Sequence, residues 1–378
     1  MILPLLFTLL LLTITTVLSS DINECPSLAP SGSSAENVHS LRPADIKVIA
    51  SIGDSITAGV GAKNIETNFV AYSDFKEHRG QSWLSGGDSG VASIANYIRR
   101  YSTNLYGSST GIKPLKLCPD TFFCLDYTHS FDTDQLNAAL PSATSYSIMD
   151  QVNYLSQYIG KGTKYDDDWK LVNIYIGTND IAVSCLRDYT AEKYDSNIRE
   201  GLELLKSKVN KVLVNLIGLS HIENIPGKTK NLQSQYRKSF ENPNIDPQNY
   251  ECVCCKMNKK SPVTILDTAL GKVDLAANVD RFNQVLATIA QKYGKGGSES
   301  TNTFTVVHQP FSIDIDSLPV DALSNIDGYH PNEKSYRYFS KALWNEMFLP
   351  KSEKSTNLKF DEQLKIYCPN ENDYIRTD

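Results

Sequence analysis

Two rhythms of apolar residues alternate along the chain. Near-continuous apolar runs occur at "IKVIASIG" (46–53), "KLVNIYIG" (170–177), "KVLVNLIGL" (211–219) and "TFTVVHQ" (303–309). Between and around them, apolar residues recur at helical spacing in "VASIANYIRRY" (91–101), "SIMDQVNYLSQYI" (147–159), "AEKYDSNIREGLELLKSKV" (191–209), "NVDRFNQVLATIAQKY" (278–293) and "EKSYRYFSKALWNEMF" (333–348). "DQLNAAL" (134–140) reads as a weaker, short strand. Short uninterrupted apolar runs mark strands buried on both faces, and their alternation with amphipathic helices predicts a parallel sheet covered on both sides. The expected architecture is a three-layer α/β/α domain. In such sheets ligands bind beyond the carboxyl ends of the strands, so chemistry is expected in the residues that follow each strand.

Two long stretches break the alternation, 60–90 and 220–277, the second carrying the cysteine cluster "ECVCCKM". Long irregular segments in compact domains are functional loops or mobile ones. The second holds too little apolar material for a core of its own and is expected to decorate the main domain as a disulfide-tied cap. The expected organisation is a leader over 1–20, a polar segment over 21–44 and one domain over 45–378 with a Cys-containing insertion at about 220–277.

The leader rests on "ILPLLFTLLLLTITTVLSS", an apolar run that ends in small residues and precedes a polar stretch. It reads as a secretory signal cleaved near Ser19–Ser20, although no basic residue stands at its front; the run is short for a membrane anchor and no basic flank follows. The polar end "CPNENDYIRTD" carries no lipid-anchor signal. Eight cysteines, Cys25, Cys118, Cys124, Cys185, Cys252, Cys254, Cys255 and Cys368, suit a secreted or lumenal chain with up to four disulfides and leave their connectivity open. Zinc is not expected at the cluster, since no histidine lies close by. There is no Asn-x-Ser/Thr sequon. With a net charge of −6 and no basic run, a nucleic-acid partner is not expected.

Three strand ends carry candidate chemistry. "IKVIASIG" runs into Gly53-Asp54-Ser55, where a serine at a strand-to-helix turn offers a hydroxyl nucleophile and a backbone N–H to stabilise an oxyanion. "KLVNIYIG" ends in Gly177-Thr178-Asn179-Asp180, and the Asn179 amide is a neutral oxyanion donor; alternatively this pair only caps the next turn. After "TFTVVHQ" comes "DGYHP", in which Asp327 precedes His330 by three residues, close enough to orient the ring and stabilise its imidazolium.

With these three pieces in order, the chain resembles the GDSL or SGNH hydrolases, and within them the secreted phospholipase B-like lipases. The motifs are "SIGDSITAG", "YIGTND" and "DGYHP", joined by "RGQSWLSGGD" (79–88), "LNAALPSA" (136–143), "ALWNEMFLP" (342–350) and "CPNENDYIRT" (368–377). The resemblance implies a mostly parallel, flavodoxin-like sheet. It implies Ser55 as nucleophile, His330 as base and then acid, and Asp327 as its orienting carboxylate. It also implies an oxyanion hole of the Ser55 N–H, the Asn179 side chain and a backbone N–H at a glycine position that Ser142 occupies here. The N–H survives that exchange; the backbone conformation is what the exchange puts at stake, because glycine tolerates positive φ and serine does so poorly. Ile56 in place of the family's usual Leu is a conservative packing change.

A second Gly-Asp-Ser, in "SGGDSG" (85–90), follows polar residues rather than a strand, and Ser89 is expected to cap the helix after it. Of the other histidines, His308 lies within a strand and His221 is the one rival base, with Glu223 near it. The expected activity is a secreted serine esterase that deacylates phospholipids or lysophospholipids through an acyl-enzyme, without metal or cofactor, with transient contact to a membrane or micelle surface. Other acyl esters, such as acetylated sugars or simple lipid esters, and a catalytically dead lipid-binding relative are the alternatives.

Overall fold

The computed structural model describes residues 17–28, 35–116, 129–229, 231–232, 251–257 and 273–378. The described strands and α-helices, in chain order, are β1 (Val17–Ser19), β2 (Ile46–Gly53), α1 (Ser55–Ala58), β3 (Lys76–Glu77), α2 (Ile94–Arg99), β4 (Lys113–Pro114), α3 (Phe131–Asp134), α4 (Ile148–Ile159), β5 (Trp169–Tyr175), α5 (Thr178–Ala182), α6 (Ala191–Lys208), β6 (Val212–Ile217), α7 (Ile225–Thr229), α8 (Leu275–Tyr293), β7 (Phe304–Gln309), α9 (Glu333–Glu346) and β8 (Ile366–Cys368).

The four apolar runs form one parallel sheet in the order β2-β5-β6-β7. Every residue of β5 and β6 is buried, and Lys47 alone is exposed in β2, as the unbroken apolar pattern requires. Helix α6 packs against both α4 and α8, with α4 on β2 and α8 on β6 and β7. On the other side α9 packs against α2. There Trp83 stacks on Phe311 at 5.3 Å and meets Tyr175 of β5 and Phe339 of α9 edge-on. This is the three-layer arrangement expected. Its sheet also carries a buried polar chain: Gln309 donates to Asn215, Asn215 to Asn173, and Lys354 donates to Gln309, each at 3.0 Å.

The segment 134–140 departs from the expected strand. Its first residue closes the short helix α3, and the rest follows the free edge of β2 with a single bridge, Ser51 to Asn137. The Ser51 N–H donates to Leu136 O, the Ala138 N–H to Ser51 O and the Leu140 N–H to Gly53 O. It occupies the place of an edge strand without a regular ladder. The ladder stops because the Gly53 N–H donates to Gln151 (2.8 Å) instead of to this segment, and the outer edge is met by Arg79, which is fully buried and donates to the carbonyls of Asn137 (2.9 Å) and Ala139 (2.8 Å). Arg79 also lies against Glu77 and Asp134, which Lys113 joins from the β3–β4 pair.

Three disulfides join described cysteines: Cys25–Cys368, Cys185–Cys254 and Cys252–Cys255. Cys118 and Cys124 lie outside the described residues, as do 1–16 of the expected leader, 29–34 of the polar segment, and 230, 233–250 and 258–272 of the insertion. Val17–Ser19 pairs with β8 in antiparallel fashion. Among the described residues no helix is long and apolar enough to cross a membrane.

Replacing Arg79 by Ala leaves Glu77 and Asp134 buried with less compensation and the carbonyls of 137 and 139 without donors. A loss of roughly 3–5 kcal/mol in urea-denaturation stability is expected, and an unchanged midpoint would show that the cluster contributes nothing.

Candidate active site

The site begins where β2 stops. Gly53 is clasped by Gln151 of α4, which accepts from its N–H at 2.8 Å and donates to its C=O at 2.9 Å. A Cβ at Gly53 would lie 2.6 Å from Tyr175 O, so the approach of β2 to β5 at this level requires glycine. Asp54 then caps the single turn α1 by accepting from the Ile56 N–H at 3.0 Å. That cap turns the chain out of the sheet and puts Ser55 at the first helical position, half-buried at the sheet's carboxyl edge. Burial pushes the Asp54 carboxyl up to about 7, against the pull of the Ile56 N–H and of His330.

His330 meets Ser55 from the last loop before α9. Its Nε2 lies 2.8 Å from Ser55 Oγ and its Nδ1 lies 2.7 Å from Asp327 Oδ2. A carboxylate only accepts, so Nδ1 carries the proton and Nε2 presents its lone pair to the serine hydroxyl. Asp327 is itself fixed, since its Oδ1 accepts from the N–H groups of Tyr329 (2.8 Å) and His330 (3.0 Å). Both Asp327 and His330 are buried. Burial works against both charges, yet the Asp327 carboxyl is held below its usual value by His330 and its N–H donors, and the imidazole is raised above 6.5 by Asp327 and then Glu251. Room for the histidine comes from Gly61, at φ 71°, where a Cβ would lie 2.8 Å from His330 Cβ.

The side of the site expected to supply oxyanion donors is built from the turn after the β2-edge segment and from the first turn of α5. Ser142 sits at φ 66°, the left-handed conformation that glycine adopts freely and serine rarely does. The Asn179 Nδ2 donates to Ala143 O at 2.9 Å, which places the amide against that turn and leaves its second hydrogen for another acceptor. Asp180 caps nothing; both of its oxygens take Ser145, the N–H at 2.8 Å and the hydroxyl at 2.6 Å, and so tie the turn to α5. Among the described residues the N–H groups of Ser55 and Ser142 have no hydrogen-bond partner.

The rivals fall elsewhere. Ser89 is exposed in a turn, and the α2 cap expected of it belongs to Ser93, which accepts from the Asn96 N–H at 3.0 Å. A helix cap must immediately precede the first turn, and the chain makes an extra bend between Ser89 and Ser93. His221 pairs with Glu223 at 3.0 Å. His308 lies in β7, and burial lowers its pKa to about 4. Three contributors were not read from sequence: Gln151, Asp180 and Glu251. Asp180 stood inside the "GTND" motif, whereas Gln151 and Glu251 carry no local signal.

Two outcomes follow for mutants of the donor side. Asn179→Ala is expected to lower kcat about 10²–10³-fold with little change in KM. Ser142→Gly is expected to keep wild-type kcat, whereas Ser142→Val, β-branched at positive φ, should cost about 1–3 kcal/mol of stability together with activity. Equal activity in all three would remove both residues from the site. The raised imidazole pKa gives a pH dependence: protonated His330 cannot accept a proton, so kcat/KM should fall with decreasing pH along a limb whose midpoint lies above 6.5.

Residues 49–343 match the family model described as GDSL-like Lipase/Acylhydrolase. The chain is 28% identical over 368 residues to membrane-associated phospholipase B1 of Homo sapiens, covering 93% of this chain and 23% of that protein. Against the Rattus norvegicus protein of the same name it is 28% identical over 361 residues, covering 92% and 23%. The chain thus spans about a quarter of the length of these relatives. Similar solved structures include an acetyl esterase mutant with acetate ion (15% identity, TM-score 0.35, 78% of this chain and 93% of that one) and an extracellular lipase from Streptomyces rimosus (12% identity, TM-score 0.31, 77% and 94%). The family model covers most of the chain, and the Ser55, Asn179 and Asp327–His330 motifs stand at the carboxyl edge of one sheet: this protein belongs to the GDSL-like lipase/acylhydrolase family.

Proposed function

We propose that the chain is a secreted serine esterase that deacylates phospholipids or lysophospholipids through an acyl-enzyme on Ser55. The observation that carries the mechanism is the unbroken chain of hydrogen bonds from Ser55 Oγ through His330 to Asp327. Ser55 Oγ attacks the ester carbonyl while its proton passes to His330 Nε2. Asp327 stabilises the imidazolium that results. The N–H groups of Ser55 and Ser142 and the free hydrogen of Asn179 receive the oxyanion of the tetrahedral intermediate. As that intermediate collapses, His330 returns the proton to the departing alcohol. Water, deprotonated by His330, then releases the fatty acid and restores the serine.

The phospholipid substrate is supported by the resemblance to proteins named phospholipase B1. The apolar run before Ser20 and the disulfides support a secreted or lumenal location. In this reading 1–20 is the leader and 45–378 a single catalytic domain that touches membrane or micelle surfaces transiently.

A fluorophosphonate probe tests the nucleophile: wild type and Ser89→Ala should label, and Ser55→Ala should not and should lose at least about a thousandfold of its ester hydrolysis. A folded wild type that fails to label would favour a lipid-binding protein without catalysis. Fatty-acid release from diacyl phospholipid and lysophospholipid vesicles tests the substrate. Turnover of acetylated sugars or simple esters alone would reassign it.

A further inference from the structure

We infer that Glu251 is a positioning residue for the general base, a second carboxylate brought to the His330–Asp327 pair by a separate, disulfide-fixed segment. The inference rests on the esterase reading above and adds a residue to it.

The geometry is specific. One carboxylate oxygen of Glu251, one of Asp327 and a ring nitrogen of His330 all lie within 4.8 Å of one another. Asp327 and His330 are buried, and Glu251 is half-buried beside them. Among the described residues this is the one cluster of three such donor groups. A shared metal ion is disfavoured by the ring itself, because Nδ1 is engaged by Asp327 and Nε2 by Ser55. What remains for Glu251 is to act on the proton that His330 gains.

Its placement is covalent in origin. The residue after it, Cys252, is bonded to Cys255, and the intervening Cys254 is bonded to Cys185, just beyond α5. The Cys185 N–H also donates to Cys254 Sγ at 2.9 Å, and the turn Val253–Met257 packs against α5. Helix α5 carries Asn179. One crosslinked unit therefore holds both the proposed oxyanion donor and the extra carboxylate.

A second negative charge at this range stabilises the imidazolium that forms as Ser55 attacks. The charged groups facing His330 are Asp327 from its own loop, Glu251 from the disulfide segment and Asp54 from the β2–α1 turn. Tyr329, a neutral phenol, faces Glu251. Burial raises the Glu251 carboxyl, Asp327 raises it further and His330 pulls it back, so the three groups titrate together.

The test is the pH profile of kcat/KM for a soluble ester, with Glu251→Gln and Glu251→Asp beside wild type. Removing the charge lowers the imidazole pKa. The acid limb of Glu251→Gln should therefore move down by about one pH unit, while kcat on the plateau falls about 3–30-fold and KM stays within about twofold. Glu251→Asp should return the limb most of the way to wild type. A Glu251→Gln enzyme with wild-type melting temperature and a wild-type limb overturns the inference while leaving Ser55 chemistry intact. Loss of activity in both variants with matching loss of melting temperature also overturns it, in favour of a purely structural residue. If Glu251→Gln does not fold, the NMR titration of His330 in wild type decides: two coupled steps support the inference, and one step overturns it. A wild type that hydrolyses no ester and takes no fluorophosphonate overturns the esterase reading and this inference with it.

Discussion

The hydrogen bond between Ser55 and His330 joins residues 275 positions apart, and the rest of the structure can be understood as what makes that bond form. Neither residue reaches the other by local geometry. Ser55 is delivered by the end of β2 and His330 by the loop entering α9, so the parallel sheet must be complete before the two meet. Small tolerances decide the outcome. Gln151 locks Gly53 from the helix α4, Asp54 turns the chain, and Gly61 admits the histidine against a backbone that a larger residue would displace.

The Ser142–Asn179 side of the site depends on a different kind of contact. Between α3 and α4 the chain is irregular and could not hold a backbone N–H in place by itself. It is held from three directions: by β2 through hydrogen bonds at its edge, by Arg79 at the carbonyls of 137 and 139, and by Asn179 and Asp180 from α5. The positive φ of Ser142 is sustained by that scaffold. The buried ionic cluster thus reaches the site, because Arg79 anchors the segment that leads to Ser142.

Much of this was legible in the sequence, for identifiable reasons. Strands buried on both faces leave uninterrupted apolar runs, and β2, β5, β6 and β7 all stand where those runs do. Asp327 and His330 could be paired because they stand three positions apart in one turn. Two of the three misreadings, segment 134–140 and Glu251, share one cause: the deciding partner is remote in sequence. Segment 134–140 lacks a regular ladder because Gln151 takes the Gly53 N–H, and Arg79 takes its outer carbonyls. Ser93 displaces Ser89 as the α2 cap because the loop bends once more before the helix starts. Glu251 gave no signal because two disulfides, whose connectivity sequence left open, set its position.

The claim on which everything else turns is that Ser55 carries the acyl group between the two half-reactions. Mixing the enzyme with an activated acyl ester, quenching in acid within the first turnover and mapping the modified peptide by mass spectrometry tests it directly. The account predicts one added acyl group, on the peptide that contains Ser55. Turnover at full rate with no adduct, or an adduct on any other residue, would contradict it.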